Sequence, residues 1–472
     1  MISEDQETWL CVRHVIEHRD LRPNSFCDLY VNSNLEWFII SACGSLGDHQ
    51  FTVGQLEVIM ALEKENNSAQ IDRLALAVEP KVIEWRHDLH QNPELSNREF
   101  RTSKLVTAHL IKLGLEVTTG VAHTGVIGIL RGNADSPVVA LRADMDALPV
   151  TESTNLPYAS KNKDVMHACG HDSHTAILMG AAEVLSRMKD KISGTVKFIF
   201  QPSEEGAPDG EEGGAPLMIK EGALKNPDVN AIFGLHVVSM PAGLIAYRAG
   251  ALMASVDIFR IVVIGKQTHA AQPYSGIDPI VVASQIVMGL QTIVSRQVNS
   301  VTAPTVISVG QINGGERWNI IPEKVEMIGT IRCLEEETRH RVHEKLKKTA
   351  QSIAESAGAE AEVTFRKLGP VCYNDPTLHE MMIPTLKRVA REQYAREAPP
   401  TTGSEDFAFY QEQIPGYFFY IGATPPGGDS VQLHTPLFNT DDKALILGVR
   451  AMANLAIDYL SRSDGNFLSL SS

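Results

Sequence analysis

Short apolar strand patterns alternate with helical patterns along most of this chain. Residues 98–113 show helical spacing that stops at Gly114, and β-branched runs follow at residues 125–130 and 138–142. Chains that alternate strands with helices fold as α/β proteins, in which helices cover both faces of a mostly parallel sheet. The pattern continues in predicted strands over residues 195–200, 231–236 and 417–422, and in predicted helices over residues 173–188, 378–392 and 442–460.

A different order of elements interrupts this alternation between residues 251 and 368. Predicted elements follow one another there as β-α-β-β-α-β, the order of a ferredoxin-like α+β unit. Because 472 residues exceed the usual size of one domain, we interpret this segment as a domain inserted into the first. The predicted division is 1–70 as an N-terminal extension, 71–250 as the first part of the main domain, 251–368 as the insertion and 369–472 as the second part of the main domain. The strands predicted within the insertion cover residues 256–264, 305–311, 325–332 and 361–365, and its helices cover residues 279–295 and 336–357.

The N-terminal extension lacks a clear helical or strand period, and it contains three of the six cysteines. We identify no residue in it that carries chemistry. Two interpretations stay open. Either the native protein starts at Met60 and the preceding residues do not belong to it, or the extension is genuine but poorly packed or disordered.

Charge and composition disfavour several classes of function. The formal net charge of −15 disfavours binding to nucleic acid, which needs a basic surface against phosphates. No apolar run approaches the roughly 20 residues of a membrane-spanning helix, so we expect no membrane partner. The C-terminal residues match no targeting motif, and we expect a cytoplasmic location. The six cysteines are too scattered to indicate a disulfide framework.

Residues able to bind metal or carry protons follow several of the predicted strands. Asp144 and Asp146 come after one strand, Glu204 and Glu205 come after another, and His236 ends a third. In open α/β sheets the ligand crevice lies beyond the carboxyl ends of the strands. The sequence therefore predicts that these side chains meet at one edge of the sheet.

Cys169 and His171 precede a predicted helix, with Gly170 between them. The glycine gives the backbone the freedom to turn both side chains toward one centre. A thiolate and an imidazole are good ligands for zinc, cobalt or nickel, and nearby carboxylates extend the range to manganese. A buried structural cysteine beside a helix-capping histidine is the competing interpretation, and the pair alone does not decide between them.

Glu204 and Glu205 are adjacent on a segment that Pro202 separates from its strand. One of them could bind a metal while the other carries a proton, which is the division of labour that a metal-dependent hydrolase needs. Two solvated surface glutamates are the commoner fate of such a pair. His236 and His434 are equally ambiguous alone, as a structural histidine and a turn residue.

Seven ordered segments resemble the aminoacylase-type dinuclear metallopeptidases, in the branch of hippurate hydrolases and indole-3-acetyl-amino-acid hydrolases. The resemblance covers about residues 71–462 and implies a zinc-peptidase-like sheet whose insertion is a lid and dimerisation domain. The matching segments read WRHDLHQNPELSNREFRTS, LRADMDALPV, MHACGHDSHTA, QPSEEG, GLHV, GSEDF and LHTPLFNTDD, beginning at residues 85, 141, 166, 201, 234, 403 and 433.

The resemblance also implies the roles of site residues. It implies two divalent metal ions (manganese, zinc, cobalt or nickel), Glu204 as general acid/base, and Asp146 as the carboxylate that orients a ligand. This chain has Asp144 where other branches have a histidine, so the metal preference is open. The implied metal ligands are Cys169, His171, Glu205, His236 and His434.

Two segments of the insertion also match the family. GKQTHAAQP, from residue 265, implies that His269 stabilises the developing oxyanion, often across a dimer interface, which makes a homodimer the expected state. The family's glycine pair is replaced here by Gln267 and Thr268, which leaves the flexibility of this loop open. NGGERWNIIPEKVEMIGTIR, from residue 313, implies that Asn319 and Arg332 bind the substrate carboxylate. A turn asparagine and a surface arginine are the alternatives.

The resulting expectation is an enzyme that cleaves small N-acyl-L-amino acids, hippurate-like or indole-3-acetyl conjugates, into a carboxylic acid and a free amino acid. A deacetylase of N-acetyl-diaminopimelate or other short-chain acyl amino acids, and a dipeptidase, remain alternatives. A non-catalytic metal-binding protein is the alternative of another class. Trp318 and residues 417–420 could line an aromatic acyl pocket, or they could belong to the core.

Overall fold

The computed structural model describes residues 28–33, 36–41, 66–425 and 427–462. The chain divides into two compact units, Met1–Glu65 and Asn66–Ser472. In the first unit, strand β1 (Asp28–Ser33) pairs antiparallel with strand β2 (Glu36–Ser41). The sequence pattern did not predict these two strands. The remaining residues of the extension before Asn66 lie outside the described residues.

The second unit contains the α/β fold. Its helices are α1 (Asn67–Gln91), α2 (Phe100–Lys112), α3 (His171–Ser186), α4 (Gly214–Lys220), α5 (Pro279–Gln297), α6 (Glu336–Ser356), α7 (Pro376–Ala390), α8 (Ala408–Gln411) and α9 (Lys443–Arg462). Its strands are β3 (Glu116–Val121), β4 (Gly125–Arg131), β5 (Val138–Asp144), β6 (Thr195–Gln201), β7 (Ala231–Pro241), β8 (Ile245–Tyr247), β9 (Gly250–Met253), β10 (Val256–Ile264), β11 (Thr268–His269), β12 (Thr305–Gly314), β13 (Ile320–Ile321), β14 (Lys324–Cys333), β15 (Glu360–Gly369), β16 (Cys372–Asn374), β17 (Ala395–Glu397) and β18 (Gly416–Thr424).

Eight strands form the main sheet in the order β17-β8-β18-β7-β5-β6-β4-β3. The pairs at its centre are parallel, whereas β4 pairs antiparallel with both β3 and β6, and β18 pairs antiparallel with β8. Every residue of β5 and β6 is buried, as expected of strands covered on both faces. The predicted α/β fold is confirmed, with the refinement that the sheet is mixed toward its edges.

A second sheet of four antiparallel strands has the order β12-β14-β10-β15. Helices α5 and α6 connect its strands in the β-α-β-β-α-β sequence, which confirms the ferredoxin-like fold predicted for the insertion. Residues of β14 alternate between buried and part-exposed, because the helices cover one face of this sheet. The predicted bounds of β10, residues 256–264, agree with the structure.

Local chemistry fixes several helix starts. Asn66 accepts a hydrogen bond from the Ala69 amide at the start of α1, and Asp278 caps α5 through the Ile280 amide, next to a proline at the first helical position. The first described helix begins at Asn67, four residues before the boundary that we predicted at residue 71.

Two helices are long and apolar enough to cross a membrane by length and composition, in contrast to our reading of the sequence. Most of α9 is buried within the protein, and α5 packs the apolar side of its surface against the four-stranded sheet. Packing within this fold therefore accounts for the apolar surface of α9, whereas only 33% of the apolar window of α5 is buried.

Candidate metal centre and active site

Gly170 makes the turn that brings Cys169 and His171 together at the start of α3. Its φ of +89° lies in the left-handed region, and a Cβ placed there would lie 2.3 Å from Cγ2 of Val237. The helix begins at His171, two residues before the predicted start, so His171 occupies its first position. Cys169 and His171 are both buried.

The Cys169 thiol lies at the centre of the predicted ligand set. Its Sγ is 3.3 Å from Nε2 of His236 and 3.2 Å from Nε2 of His434. The His434 Nε2 atom is also 3.1 Å from Oε1 of Glu205. The potential ligand atoms of Cys169, His171 and His236 lie within 4.8 Å of one another, and so do those of Cys169, Glu205 and His434. The five predicted ligands thus form two groups that share one thiol.

Hydrogen bonds at Nδ1 orient the imidazoles of His171 and His236 so that Nε2 of each ring faces the Cys169 cluster. His171 Nδ1 lies 2.9 Å from the carbonyl oxygen and 3.2 Å from Oδ1 of Asp146, so Nδ1 carries the proton and Nε2 is left as the ligand atom. His236 Nδ1 is likewise bonded to the carbonyl oxygen of Val237 at 2.6 Å. The contact between the Asp146 carboxylate and the His171 imidazole is the one expected of a carboxylate that orients a metal ligand.

Two buried atoms of the cluster lack the partner that such atoms normally have. His171 Nε2 forms no hydrogen bond among the described residues, and Glu205 Oε1 faces the His434 Nε2 atom at 3.1 Å without the geometry of a hydrogen bond. Leaving buried polar atoms unpaired is costly, so atoms of this kind point to a missing ligand. Imidazole, thiolate and carboxylate are together a donor set for a divalent transition metal, and the residues present therefore fit two such ions.

The electrostatics of the cluster favour cations. Burial and the neighbouring Glu205 raise the pKa of the Cys169 thiol well above its usual range. Burial by itself would lower the pKa of His171, but Asp144 and Asp146 raise it to about 10. A site that resists a bare thiolate and attracts a proton to an imidazole carries excess negative potential, which divalent ions would neutralise.

Three consecutive backbone amides hold the segment that carries the two glutamates. Asp146 accepts hydrogen bonds from the Glu204 amide at 3.1 Å and from the Glu205 amide at 3.0 Å. Glu99 accepts the Ser203 amide at 3.0 Å. Ser203 has a φ of +59°, a conformation that a serine rarely adopts without such support.

Glu204 lies beside the Cys169 cluster but belongs to neither of the two ligand groups that contain the Cys169 thiol. Its Oε2 is 3.9 Å from Nε2 of His171, and its Oε1 accepts the Asp406 amide at 3.3 Å. Burial, followed by the repulsion of Glu405 and Glu205, raises the pKa of Glu204 well above its ordinary value. A carboxyl group with a raised pKa is suited to taking up and returning a proton.

Sequence reasoning assigned no role to an ion-pair network beneath Glu204. Arg142, fully buried on β5, donates to Asp144 at 2.6 Å, to Asp406 at 2.7 Å and to the side chain of Gln201 at 2.9 Å, and it lies 3.1 Å from Glu405. The GSEDF segment, which contains Glu405 and Asp406, could have indicated that these carboxylates matter. A motif match does not, however, show that they pair with Arg142.

His174 is a second residue that the sequence did not single out. Its Nε2 accepts the Val237 amide at 2.9 Å, so its Nδ1 carries the proton and donates to Asp144 at 2.6 Å. Its ring packs edge-on against His236 at 4.6 Å between centroids. The spacing of three residues from His171, on one face of α3, was the signal that could have identified it.

The predicted residues of the insertion lie at two separate places. His269 pairs with Ile320 in the short β11–β13 ladder, next to Asn319, beyond the end of the sheet where Ile264 pairs with Lys324. Among the described residues, no hydrogen bond or ion pair joins His269 or Asn319 to the ligand residues around Cys169.

Arg332 lies toward the opposite end of β14 from the β11–β13 ladder. It donates a hydrogen bond to Ser404 at 3.0 Å, and Ser404 is the neighbour of Glu405. Eight residues of β14, about 26 Å of strand, separate Lys324 from Arg332. Within one chain, Asn319 and Arg332 therefore lie toward opposite ends of β14, and their role in binding the substrate carboxylate stays a prediction.

The aromatic residues considered for an acyl pocket have different surroundings. Tyr417, Phe418, Phe419 and Tyr420 are buried in β18, and Trp318 is 88% exposed. The run on β18 therefore belongs to the core of the main sheet. His236 is likewise not at a strand end as predicted, because β7 continues to Pro241.

A cavity of about 430 Å³ opens beside Glu204 and Glu205. One wall is the segment 203–207, which carries Glu204 and Glu205, together with Ser404, Glu405 and Asp406. The other wall comes from the four-stranded sheet and includes Val256 and the end of β15. The cavity therefore lies between the two sheets of the second unit.

Known proteins resemble this chain over the region that contains the site residues. The model of peptidase family M20/M25/M40 matches residues 140–458. An N-acetylcysteine deacetylase of Bacillus subtilis is 41% identical over 81% of this chain and 98% of the relative. An IAA-amino acid hydrolase of Arabidopsis thaliana is 38% identical over 84% of this chain and 90% of the relative. A Bacillus subtilis crystal structure, described as a dinuclear metal binding peptidase from the M20 family, has a TM-score of 0.71 at 39% identity, covering 82% of this chain and 99% of that one.

Proposed function

Because this chain belongs to the M20/M25/M40 peptidase family of hydrolases, we propose that it is a metal-dependent amidohydrolase of N-acyl-L-amino acids. The products are a carboxylic acid and a free amino acid. The observation that carries the proposal is the cluster around Cys169, in which the buried His171 Nε2 has no hydrogen-bond partner among the described residues and Glu204 lies alongside.

Five side chains would hold two divalent ions, and the Cys169 thiol belongs to both groups of possible ligands. Divalent ions in such a site supply Lewis acidity toward a water molecule and toward the amide carbonyl. The residues that would hold the ions are Cys169, His171, Glu205, His236 and His434.

Glu204 transfers the proton in this proposal. Its carboxylate takes a proton from the attacking water at one oxygen and returns it to the departing amide nitrogen, so no net proton is lost. The Asp406 amide holds one oxygen of Glu204 in place, and Asp146 holds its backbone amide. The raised pKa of Glu204 makes the protonated form accessible for the second transfer.

Substrate recognition uses the insertion. Arg332 is half-buried at the cavity end of β14 and has a hydroxyl rather than a carboxylate as its partner, so its guanidinium is available to a substrate carboxylate. We assign Asn319 and His269 to the second copy of a homodimer, because they lie beyond the opposite end of the sheet within one chain.

The state of His269 is compatible with this assignment. Its Nδ1 accepts the Ala271 amide at 3.0 Å, so the exposed Nε2 of the neutral ring is the donor that an oxyanion requires. Trp318 and Tyr274 near this ladder are 88% and 84% exposed, and such residues favour contact with a second protein surface. Light scattering should give twice the chain mass, and mixing His269→Ala with Glu204→Gln protein should restore part of the activity that each lacks.

Two substrate classes follow from the relatives. The Arabidopsis IAA-amino acid hydrolase favours indole-3-acetyl conjugates, and the Bacillus N-acetylcysteine deacetylase favours short-chain N-acetyl amino acids. Hippurate-like conjugates are proposed on the resemblance of the sequence motifs. The cavity of about 430 Å³ accommodates an acyl amino acid of either size.

The test is amino-acid release by metal-stripped protein with manganese, cobalt, zinc or nickel restored. The panel contains hippurate, N-acetyl-cysteine, indole-3-acetyl-aspartate, indole-3-acetyl-alanine and N-acetyl-diaminopimelate. We expect metal-dependent cleavage that falls by about 10²–10⁴-fold in Glu204→Gln. Absence of cleavage with every metal and substrate, in protein that binds metal, would favour the non-catalytic alternative.

A further inference from the structure

One short segment of the main domain contacts both the insertion and the proposed general base. Ser404 accepts a hydrogen bond from Nη1 of Arg332 at 3.0 Å, and Arg332 lies on β14 of the insertion. Two residues after Ser404, the Asp406 amide donates to Oε1 of Glu204 at 3.3 Å. We call residues 403–406 the connecting segment. Through it, the group proposed to bind the substrate carboxylate is joined to the group proposed to carry the proton.

Further hydrogen bonds hold the connecting segment at both ends. At its start, the amide of Ala254, between β9 and β10, donates to the carbonyl oxygen of Gly403 at 2.8 Å. At its end, the Asp406 carboxylate accepts from Nη2 of the buried Arg142 at 2.7 Å and from the Ala215 amide at 2.8 Å. Coupling between two groups is carried by contiguous contacts of this kind, because a backbone held at both ends has little freedom to absorb a displacement.

The bond to Ser404 also orients the Arg332 guanidinium. A guanidinium has five N–H donors in a planar fork, and a carboxylate accepts from two of them side by side. Ser404 accepts from one terminal nitrogen and brings no negative charge of its own. The hydroxyl can therefore fix the plane of the guanidinium while other donors remain for a substrate carboxylate.

The orientation of Arg332 matters for the chemistry at Glu204. In an N-acyl amino acid, the carboxylate and the amide nitrogen are attached to the same carbon, so a tilt of the bound carboxylate displaces the scissile amide. Proton transfer needs a distance of about 2.6–3.2 Å between heavy atoms, and a misplacement of about 1 Å can cost about 100-fold in rate. Binding energy at the carboxylate is then used to orient the amide, and its loss lowers kcat as well as affinity.

We propose that Ser404 and Asp406 are positioning residues that fix Arg332 and Glu204 relative to each other, so that binding of the substrate carboxylate raises kcat. Ser404 acts through Arg332, whereas Asp406 acts by holding its own backbone amide against Glu204. This inference rests on the proposed amidohydrolase function.

The experiment compares two substrates of the same shape with the metal-loaded full-length protein. The best-cleaved N-acyl amino acid of the panel above is paired with its α-carboxamide, which lacks the negative charge. Release of the acyl group as a carboxylic acid is measured for both, and kcat and KM are determined separately. We expect the carboxamide to have a higher KM and a kcat that is lower by about tenfold.

The Ser404→Ala variant tests the end of the segment that contacts the insertion. Its kcat for the carboxylate substrate should fall by about tenfold, toward that of the carboxamide, while kcat for the carboxamide should change by less than about twofold. Ser404→Thr keeps the hydroxyl and should keep most of the wild-type kcat. In the Arg332→Ala background, Ser404→Ala should cause no further loss, because both changes break one interaction. Thr402→Ala is the matched control, since Thr402 is an exposed hydroxyl residue next to the connecting segment.

The Asp406→Asn variant tests the end that contacts Glu204. It has the same shape but loses the ion pair with Arg142, and it should lower kcat for both substrates, because both need Glu204. Unfolding midpoints and bound metal show which variants fold and load normally. The Ser404 variants decide the inference even where Asp406→Asn protein does not fold.

The outcomes separate the inference from the function on which it rests. Metal-dependent hydrolysis in which the two substrates have equal kcat, or in which Ser404→Ala changes KM alone, would overturn the inference and leave the amidohydrolase proposal intact. An equal loss of kcat for both substrates in Ser404→Ala would indicate a structural role only and would also overturn it. Failure to cleave any amide in the presence of metals would remove the proposed function itself.

Discussion

Asp146→Asn is the substitution that most directly tests the construction of the site. Oδ1 of Asp146 faces the Glu204 amide at 3.1 Å and His171 Nδ1 at 3.2 Å. Its Oδ2 faces the Glu205 amide at 3.0 Å and the Ser96 hydroxyl at 2.8 Å. Asparagine has the same shape but one acceptor oxygen, so its NH₂ group must face a donor in either orientation.

The magnitude follows from counting these donors. Ser96 can rotate and accept, and His171 retains its bond to the backbone carbonyl of Asp146, so one buried backbone amide on the glutamate segment loses its partner. An unsatisfied buried donor costs about 1–3 kcal/mol of folding free energy. Loss of the carboxylate behind a ligating imidazole typically weakens metal affinity by about 10–100-fold.

Two measurements test the substitution. Urea unfolding of the metal-free proteins gives the stability change, and calorimetric titration with zinc or cobalt gives the affinity change. Ser96→Ala is the control, because it removes a single hydrogen bond and leaves Asp146 charged, and we expect a loss of about 1 kcal/mol. Asp146→Asn protein with wild-type stability and wild-type metal affinity would refute the reasoning.

Three further substitutions test other parts of the structure. Burial and a neighbouring carboxylate raise the pKa of Glu99 to about 7, so the free energy of unfolding should fall by roughly 3 kcal/mol as pH rises from 4.5 through 7. Glu99→Gln should flatten that dependence in urea titrations at several pH values. Gly170→Ala should lower both the thermal midpoint and metal affinity, since its Cβ would clash with Val237 and its φ is positive; unchanged values would contradict the tight turn. Asp257→Asn should destabilise the protein by about 3–5 kcal/mol, because Arg339 would remain buried with reduced pairing, and a change below 1 kcal/mol in urea unfolding would contradict this.

Hydrophobic patterning was sufficient to predict the order of the elements and the α/β fold. The β10 strand was predicted with its observed bounds, because its residues alternate between the covered and the open face of the insertion sheet. Mixed pairing at the sheet edges was not predicted, since β4 has the same apolar composition whether its neighbour is parallel or antiparallel. The two strands before residue 42 were missed because their period is weak.

The residues of the site were nominated by motif, but their interactions were not. Nothing in the sequence near Arg142 indicates that it meets Asp406, which is 264 positions away. The sequence also does not indicate which end of β14 faces the cavity, so it could not tell that Arg332 rather than Asn319 contacts Ser404. Contacts of this kind depend on the packing of distant segments.

The distribution of charge explains why the site needs both sheets. Among the described residues, Arg142 is the buried cation that contacts Asp144, Glu405 and Asp406, and the carboxylates of Glu204 and Glu205 add to the negative charge beside it. This surplus suits a pair of divalent ions but opposes an anionic substrate. Cations that attract the substrate therefore have to stand apart from the metal ligands, and the four-stranded sheet provides that separation. If Arg332 binds the substrate as proposed, metal binding and substrate recognition can be changed independently, since Arg332 belongs to none of the ligand groups around Cys169.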